Sequence, residues 1–167
     1  MASFLEDGKM VELDVKIEAK DLYDYMMAHT YNSPAGIIGS CFGALMVIIG
    51  VMTKMWLYVI LGAVLLLYLP WNLNIKSKQQ ALLNPAFKEP LHYVLDEKGI
   101  TVSQGEQTQS QEWANMYKAT ATTKSIIVYT TKVNATIFPR REVGEQLPAL
   151  IEMISTHMPP DKVKIRF

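Results

Sequence analysis

The sequence predicts a membrane protein of the α+β class: a two-helix transmembrane hairpin inserted before a small antiparallel β-sheet or partial barrel, which ends in an amphipathic helix. Three observations support this fold. The stretch Ala35–Leu73 contains a single charged residue, Lys54. From Leu91 onward the chain alternates short apolar-patterned runs with turn residues, as in consecutive strands. Residues Gly144–His157 then place apolar side chains at helical spacing.

The apolar stretch has the length of two membrane spans, and we place the hairpin at residues 34–74. At ~1.5 Å per residue each half gives ~27 Å of helix, close to the ~30 Å hydrocarbon core of a bilayer. Neither half has a polar face, so each must be buried on all sides. The alternative, two central helices of a soluble protein, would need other long apolar helices to cover them, and the sequence has none. Pro70 should end or kink the second helix.

The charges on the two sides of the hairpin are complementary. Residues 1–33 contain three lysines and seven acidic residues, whereas residues 74–167 contain twelve basic and nine acidic residues. Opposite net charges attract, so the N-terminal segment 1–33 should complete the soluble domain at 91–167, with residues 75–90 as connector. The acidic N-terminus also lacks the pattern of a signal peptide, so we expect none.

The N-terminal segment contains a strand followed by a helix. Apolar and polar side chains alternate over Met10–Ala19, as in a half-buried strand. Lys20–Tyr31 changes to helical spacing, with Asp21 as a plausible N-cap. Because the strand has no partner nearby in sequence, it should join the sheet that follows the hairpin.

The later strands should form one meander. The expected strands are Leu91–Leu95, Ile100–Ser103, Gln107–Trp113, Met116–Ala121, Ser125–Thr131 and Ala135–Phe138. Gln107–Trp113 is polar on both faces until its end, which is typical of an edge strand. The tail Val163–Phe167 alternates and could add a last short strand.

Small residues form a face on the first apolar helix. Gly36, Gly39 and Gly43 lie at spacings that allow another helix to approach closely. The face could support a homo-oligomer, or it could pack against the second helix of the same hairpin. We favour packing within the hairpin, because a GxxxG pattern alone is a weak signal.

Basic residues near the spans predict the topology. Two spans place both termini on the same side, and Lys76 and Lys78 flank the exit of the second span. The connecting turn has one lysine, Lys54. The positive-inside rule therefore predicts a multi-pass protein of the cell (inner) membrane with both termini in the cytoplasm.

Several segments together resemble a known family. They are Lys20–Tyr23 opening a helix, the two spans, Tyr93–Ile100, Trp113 after a polar strand, the SIIVYTT strand from Ser125, and Ile137–Arg141 before a final helix. This pattern resembles the YcxB-like family of bacterial membrane proteins, most closely over residues 91–157. The resemblance implies a soluble part similar to pleckstrin-homology-like (PH-like) domains. It implies no reaction, and Arg140 stands where the family typically has lysine.

The sequence offers little for catalysis. Its three histidines lie in separate segments without ligand spacing, so we expect no metal site and no cofactor. It has no glycine-rich phosphate loop, no nucleophile elbow and no close pair of carboxylates. We therefore expect a protein that is not an enzyme. A pI of 6.8 without a basic stripe also argues against nucleic-acid binding.

The candidate binding residues are Arg140, Arg141, Lys118 and Trp113. Arg140 and Arg141, with Lys118 and the nearby Lys124 and Lys132, could form a basic surface that contacts anionic lipid. The alternative is scattered surface charge, diluted by neighbouring glutamates. Trp113 could contact a ligand, although a core or rim position is the simpler interpretation.

The function that follows is a membrane-anchored cytoplasmic interaction module, a scaffold or accessory protein. It would bind a protein partner, which the sequence does not identify, through an edge strand or the groove beside its last helix. The alternative is a sensor of anionic lipid or of membrane state. A small membrane enzyme or transport subunit has less support, because the spans lack internal ionisable groups.

Overall fold

The computed structural model describes residues 10–165 and shows an α+β protein with two long apolar helices and two β-sheets. The α+β class is therefore confirmed. In chain order the elements are β1 (Val11–Val15), α1 (Ala19–Tyr31), α2 (Pro34–Met52), α3 (Trp56–Leu83), β2 (Leu91–Leu95), β3 (Gly99–Gln104), β4 (Gln107–Glu112), β5 (Lys118–Ala121), β6 (Ser125–Tyr129), β7 (Ala135–Pro139), α4 (Arg140–Val143), α5 (Leu147–His157) and β8 (Val163–Lys164).

Helices α2 and α3 form an antiparallel hairpin, and both are long and apolar enough to cross a membrane. The turn between them contains Lys54, which adopts a positive φ of 58°. Most of their large side chains are exposed on the outside of the protein, unlike those of a soluble core helix. Pro70 was expected to end or kink this helix; it lies inside α3 and does not end it, since the helix continues to Leu83. The polar continuation packs along α1, which stabilises the helix beyond the proline.

The first sheet has the strand order β1-β2-β3-β4, with every neighbouring pair antiparallel. Strand β1 precedes the hairpin in sequence, yet it pairs with β2 from Val11 opposite Leu95 to Val15 opposite Leu91. The expectation that the early strand joins the later sheet is confirmed. The hairpin is thus an insertion between two neighbouring strands of one sheet.

The second sheet has the order β7-β6-β5-β8, in which β8 runs parallel to β5 and the other pairs are antiparallel. The expected single meander is wrong, because the described strands form two sheets, and these do not close into a barrel. The break falls at Trp113–Asn115, a short 3-10 turn whose buried Trp113 directs the chain away from β4.

The hydrophobic core includes side chains from both sheets and from α5. Tyr93 of β2 and Phe138 of β7 pack edge to face, with ring centroids 5.0 Å apart. On α5 the buried residues are Leu150, Ile151, Met153 and Ile154, in agreement with the helical spacing predicted there. The soluble unit is consequently built from segments on both sides of the hairpin.

Candidate functional site

An ion pair joins the start of α1 to the residues after β7. The Asp21 carboxylate accepts hydrogen bonds from both Nη1 and Nη2 of Arg141, the latter at 2.8 Å. Asp21 is only 3% exposed, and its carboxylate also accepts the backbone N–H of Glu18 at 2.8 Å. Arg141 further donates to the Lys16 carbonyl oxygen. The arginine therefore holds the N-terminal segment onto the soluble unit.

Three carboxylates surround Arg141. Besides Asp21, Glu18 Oε2 lies 3.6 Å from Nη2 and Glu142 Oε1 lies 3.1 Å from Nε. The hydrogen bond with Asp21 is the main reason that the pKa of Arg141 is raised above its ordinary value. The pKa of Glu18 is lowered, first by its hydrogen bond with Lys20 and then by the Arg141 charge. Arg141 is thus already neutralised by acidic groups of the same chain.

The other three candidate residues, Trp113, Arg140 and Lys118, lie in separate environments, and that of Lys118 is described below. Trp113 is 3% exposed, donates its Nε1–H to the Asp96 carbonyl oxygen at 2.8 Å and stacks on His157. Its burial makes it a core residue and not a surface contact. Arg140 donates its backbone N–H to the Lys124 carbonyl oxygen. The structure therefore does not bring Arg140, Arg141, Lys118 and Trp113 together into one site.

A polar cleft of about 470 Å³ lies between the C-terminal end of α1 and the second sheet. We call it the junction cleft, because it borders the Asn32–Ser33 junction between α1 and the apolar helix α2. The side chains that define it chemically are His29, Ser33, Lys118, Thr120, Tyr129 and Lys164. Of the four candidate residues, only Lys118 lines this cleft.

Aromatic rings form the wall of the junction cleft. His29 stacks on Tyr129 at 5.9 Å between ring centroids and on Tyr25 at 5.8 Å. Burial raises the pKa of Tyr129 to about 12, and the neighbouring Tyr25 adds to the shift. Lys118 Nζ lies 4.6 Å above the Tyr129 ring, a distance suited to a cation–π interaction that fixes the ammonium in place.

Strand β4 is an uncovered edge of the first sheet. Its residues pair one to one with those of β3, from Gly99 opposite Glu112 to Gln104 opposite Gln107. Five of its six residues are exposed, and Glu112 is its one charged residue. The register and the bond from the Trp113 N–H to the Lys98 carbonyl imply that Thr108 and Ser110 direct their backbone polar groups outward.

A second groove, of about 700 Å³ and mainly apolar, follows one face of α3. Leu67, Trp71, Ile75 and Leu82 line it, and Tyr23 of α1 closes one side. It runs from the apolar part of α3 to the part that packs on α1.

The three glycines of the predicted small-residue face lie in different surroundings. A Cβ on Gly36 would lie 2.0 Å from the Thr30 carbonyl oxygen, at the junction with α1. A Cβ on Gly43 would lie 3.0 Å from Leu66 of α3. Nothing lies within 4 Å of the corresponding position on Gly39. Two of the three glycines therefore contact elements of the same chain.

One segment of the chain matches a known protein family. Residues 95–154 match the family model described as YcxB-like protein. The resemblance to the YcxB-like family is confirmed. The matched segment runs from the end of β2 into α5, so it includes both Lys118 and the two arginines. No curated protein and no solved structure matches the chain.

Sequence reasoning missed several residues that surround the YcxB-like segment. The sequence predicts His29 on one face of the first helix and Lys164 in the tail strand, but it does not indicate that the two residues border one cleft. The prediction of Asp21 as the N-cap of α1 is wrong: the N-cap is Glu18, and Asp21 lies at the third helical position. From there its carboxylate accepts the Glu18 backbone N–H and binds Arg141, 120 positions away. The helical spacing of Tyr25 and His29 was a local signal that one face of α1 is aromatic. Within the described residues no cluster of three His, Cys, Asp or Glu could hold a metal ion.

Proposed function

We propose that this protein is a membrane-anchored interaction module, in which α2 and α3 cross the bilayer and the α+β unit lies at its cytoplasmic surface. The apolar character, length and outward exposure of the two helices support insertion. A soluble protein with this many exposed large apolar side chains would aggregate.

The proposed orientation is that of a multi-pass protein of the inner membrane with both termini in the cytoplasm. Lys76 and Lys78 lie in the part of α3 that packs beside α1, near the soluble unit, whereas the opposite turn has only Lys54. Two packed four-stranded sheets followed by a C-terminal helix support the PH-like assignment of that unit.

We propose a binding role rather than an enzymatic one, with the β4 edge as the contact surface for an extended segment of a partner protein. The observation that carries this proposal is the unprotected state of the edge. Natural edge strands usually carry a lysine, a proline, a bulge or a covering element that prevents pairing. Residues 107–111 have no charge and no proline, and β4 keeps an unbroken register with β3.

The chemistry of β4 suits the addition of a strand. Outward-directed N–H and C=O groups of Thr108 and Ser110 would bond the partner's backbone, and backbone bonds accept many sequences. Beside them, the Ser110 hydroxyl accepts a hydrogen bond from the Thr101 hydroxyl across the β3–β4 pair. The other edge of this sheet, β1, contacts α4 and α5 and offers no comparable access.

The test is site-specific photo-crosslinking in native membranes, with the crosslinking amino acid placed at Gln109. We expect one discrete adduct with another protein. Ser110→Pro removes one outward N–H without breaking a β3–β4 bond and should abolish the adduct. The matched control Ser110→Ala keeps that N–H and should retain it.

Three results would contradict the proposal: no adduct, an adduct that survives Ser110→Pro, or an adduct only with a second copy of this chain. Normal thermal unfolding of the Ser110→Pro protein in detergent would show that loss of the adduct is not a loss of fold. The junction cleft lies on the other sheet, so its variants should leave the adduct unchanged.

A further inference from the structure

We infer that the junction cleft binds an anionic phosphate group, carried by a lipid of the membrane that α2 enters. Its position is the first argument. Ser33 lines the cleft and caps α2, whose apolar sequence begins at the next residue. If α2 spans the bilayer, the cleft opens at the level of the lipid headgroups. The inference thus rests on the proposed membrane anchoring, although not on the proposed role of β4.

Two cations face the cleft. Lys118 and Lys164 lie on β5 and β8, the two parallel strands, where Lys164 pairs with Thr120. Among the described residues neither lysine forms an ion pair with an acidic side chain. Two ammonium groups at one cavity repel each other, and an anion placed between them removes that repulsion. Arg141 differs from them, because three carboxylates already surround it.

The nearest carboxylate of the neighbouring helix does not neutralise these lysines. Asp24 of α1 accepts a hydrogen bond from Thr122 Oγ1 at 2.5 Å. This bond directs the carboxylate toward the β5–β6 turn at the rim of the cleft.

The remaining lining is suited to a phosphate oxygen. Thr120 offers a hydroxyl, and His29 of α1, whose ring packs against those of Tyr25 and Tyr129, offers an imidazole. The cation–π contact with Tyr129 holds the Lys118 ammonium before a ligand arrives, which lowers the ordering cost of binding. A volume of about 470 Å³ admits a phosphate and part of a headgroup.

The experiment titrates the full chain in a neutral detergent with three probes: a short-chain phosphatidylglycerol, a short-chain phosphatidylcholine and inorganic phosphate. Calorimetry measures each affinity. We expect phosphatidylglycerol to bind more tightly than phosphatidylcholine. Lys118→Gln combined with Lys164→Gln should weaken that binding by about 25-fold, because each basic residue contributes about fivefold.

The matched control combines Lys124→Gln with Lys132→Gln, which removes the same charge from the loops at either end of β6. It should leave the affinity within about twofold, since screened surface charges contribute little. Equal binding of inorganic phosphate would assign the cleft to soluble phosphate, which overturns the lipid source. Equal losses in both double variants, or no binding of any anionic probe, would overturn the site itself.

Because the titration is carried out in detergent, its outcome does not depend on whether the protein spans a membrane. Binding that depends on Lys118 and Lys164, in a protein that alkaline washing releases from membranes, would keep the phosphate site and reject the lipid source. An integral protein without such binding would reject the cleft and keep the anchoring. The thermal unfolding of each variant without probe should match that of the parent chain.

Discussion

Asp21 and Arg141 are 120 positions apart in sequence, and their bidentate contact fastens the segment before the hairpin to the segment after it. The pair lies at the point where β1 ends and α1 begins. Removing Arg141 would leave the buried Asp21 carboxylate without its cation, whereas removing Asp21 would leave Arg141 with only the more distant contacts to Glu18 and Glu142.

We predict that Asp21→Asn lowers the free energy of unfolding by about 1–3 kcal/mol, a range that allows for the 33% exposure of Arg141. Chemical denaturation of the detergent-solubilised protein provides the measurement. Glu142→Gln is the matched control: it removes a peripheral carboxylate and should cost less than about 1 kcal/mol. Equal losses of unfolding free energy in the two variants would show that the Asp21 contact stabilises the fold no more than the Glu142 contact does.

Membrane insertion predicts resistance to extraction. Alkaline carbonate washing should leave the protein in the membrane pellet, because two apolar helices cannot be released by breaking ionic contacts. A peripheral membrane protein of known behaviour provides the control and should be released. Recovery of this chain in the supernatant would contradict the membrane insertion that we propose.

The proposed topology predicts protection from proteases added outside the cell. Residues 74–167 should stay intact in whole cells and be cut after the membrane is opened. The loop Thr131–Asn134 is exposed and should be an early cleavage site. Cutting of that loop in intact cells would reverse the orientation inferred from Lys76 and Lys78.

Two matched glycine-to-alanine substitutions in the hairpin should differ in their effect on thermal stability. Gly62→Ala would place a Cβ 2.7 Å from the Gly43 carbonyl oxygen, so the helices must separate and thermal stability should fall. Gly39→Ala meets open space and should leave monomer stability unchanged. A loss of dimer in detergent upon Gly39→Ala would instead show that α2 binds a second copy.

Tyrosine titration tests the packing around the sheets. Burial raises the pKa of Tyr93 and of Tyr129 to about 12 each, compared with ~10 for a free tyrosine. The folded state holds these protons more tightly, so their contribution to stability is complete below pH ~10 and is lost as the pH rises toward 12. Tyrosinate absorbance should show a late step that Tyr129→Phe reduces. A single transition near pH 10 in the folded protein would contradict this.

Local periodicity accounts for what the sequence predicted well. The strand at Val11–Val15 and the helix at Leu147–His157 each repeat their apolar residues with the period of their own structure. The apolar hairpin likewise needs only composition and length. These features depend on neighbouring residues alone, and the structure has all three.

Long-range contacts account for what the sequence did not predict. The division into two sheets depends on Trp113, which turns inward and bonds the Asp96 carbonyl oxygen, and no local pattern specifies that contact. The surroundings of the candidate binding residues depend on contacts of the same kind. Arg141 binds Asp21, 120 positions away, and Lys118 shares a cleft with His29 of α1.

The unbroken course of α3 through Pro70 determines how far the soluble unit can reach. A 28-residue helix measures ~42 Å, and a bilayer core takes up ~30 Å of it, so ~12 Å stands above the hydrocarbon. Because α1 packs against that protruding end, the soluble unit is held close to the membrane by a short helical segment and not by a flexible linker. In the proposed orientation the soluble unit stays at the membrane surface, so a partner protein must bind it there.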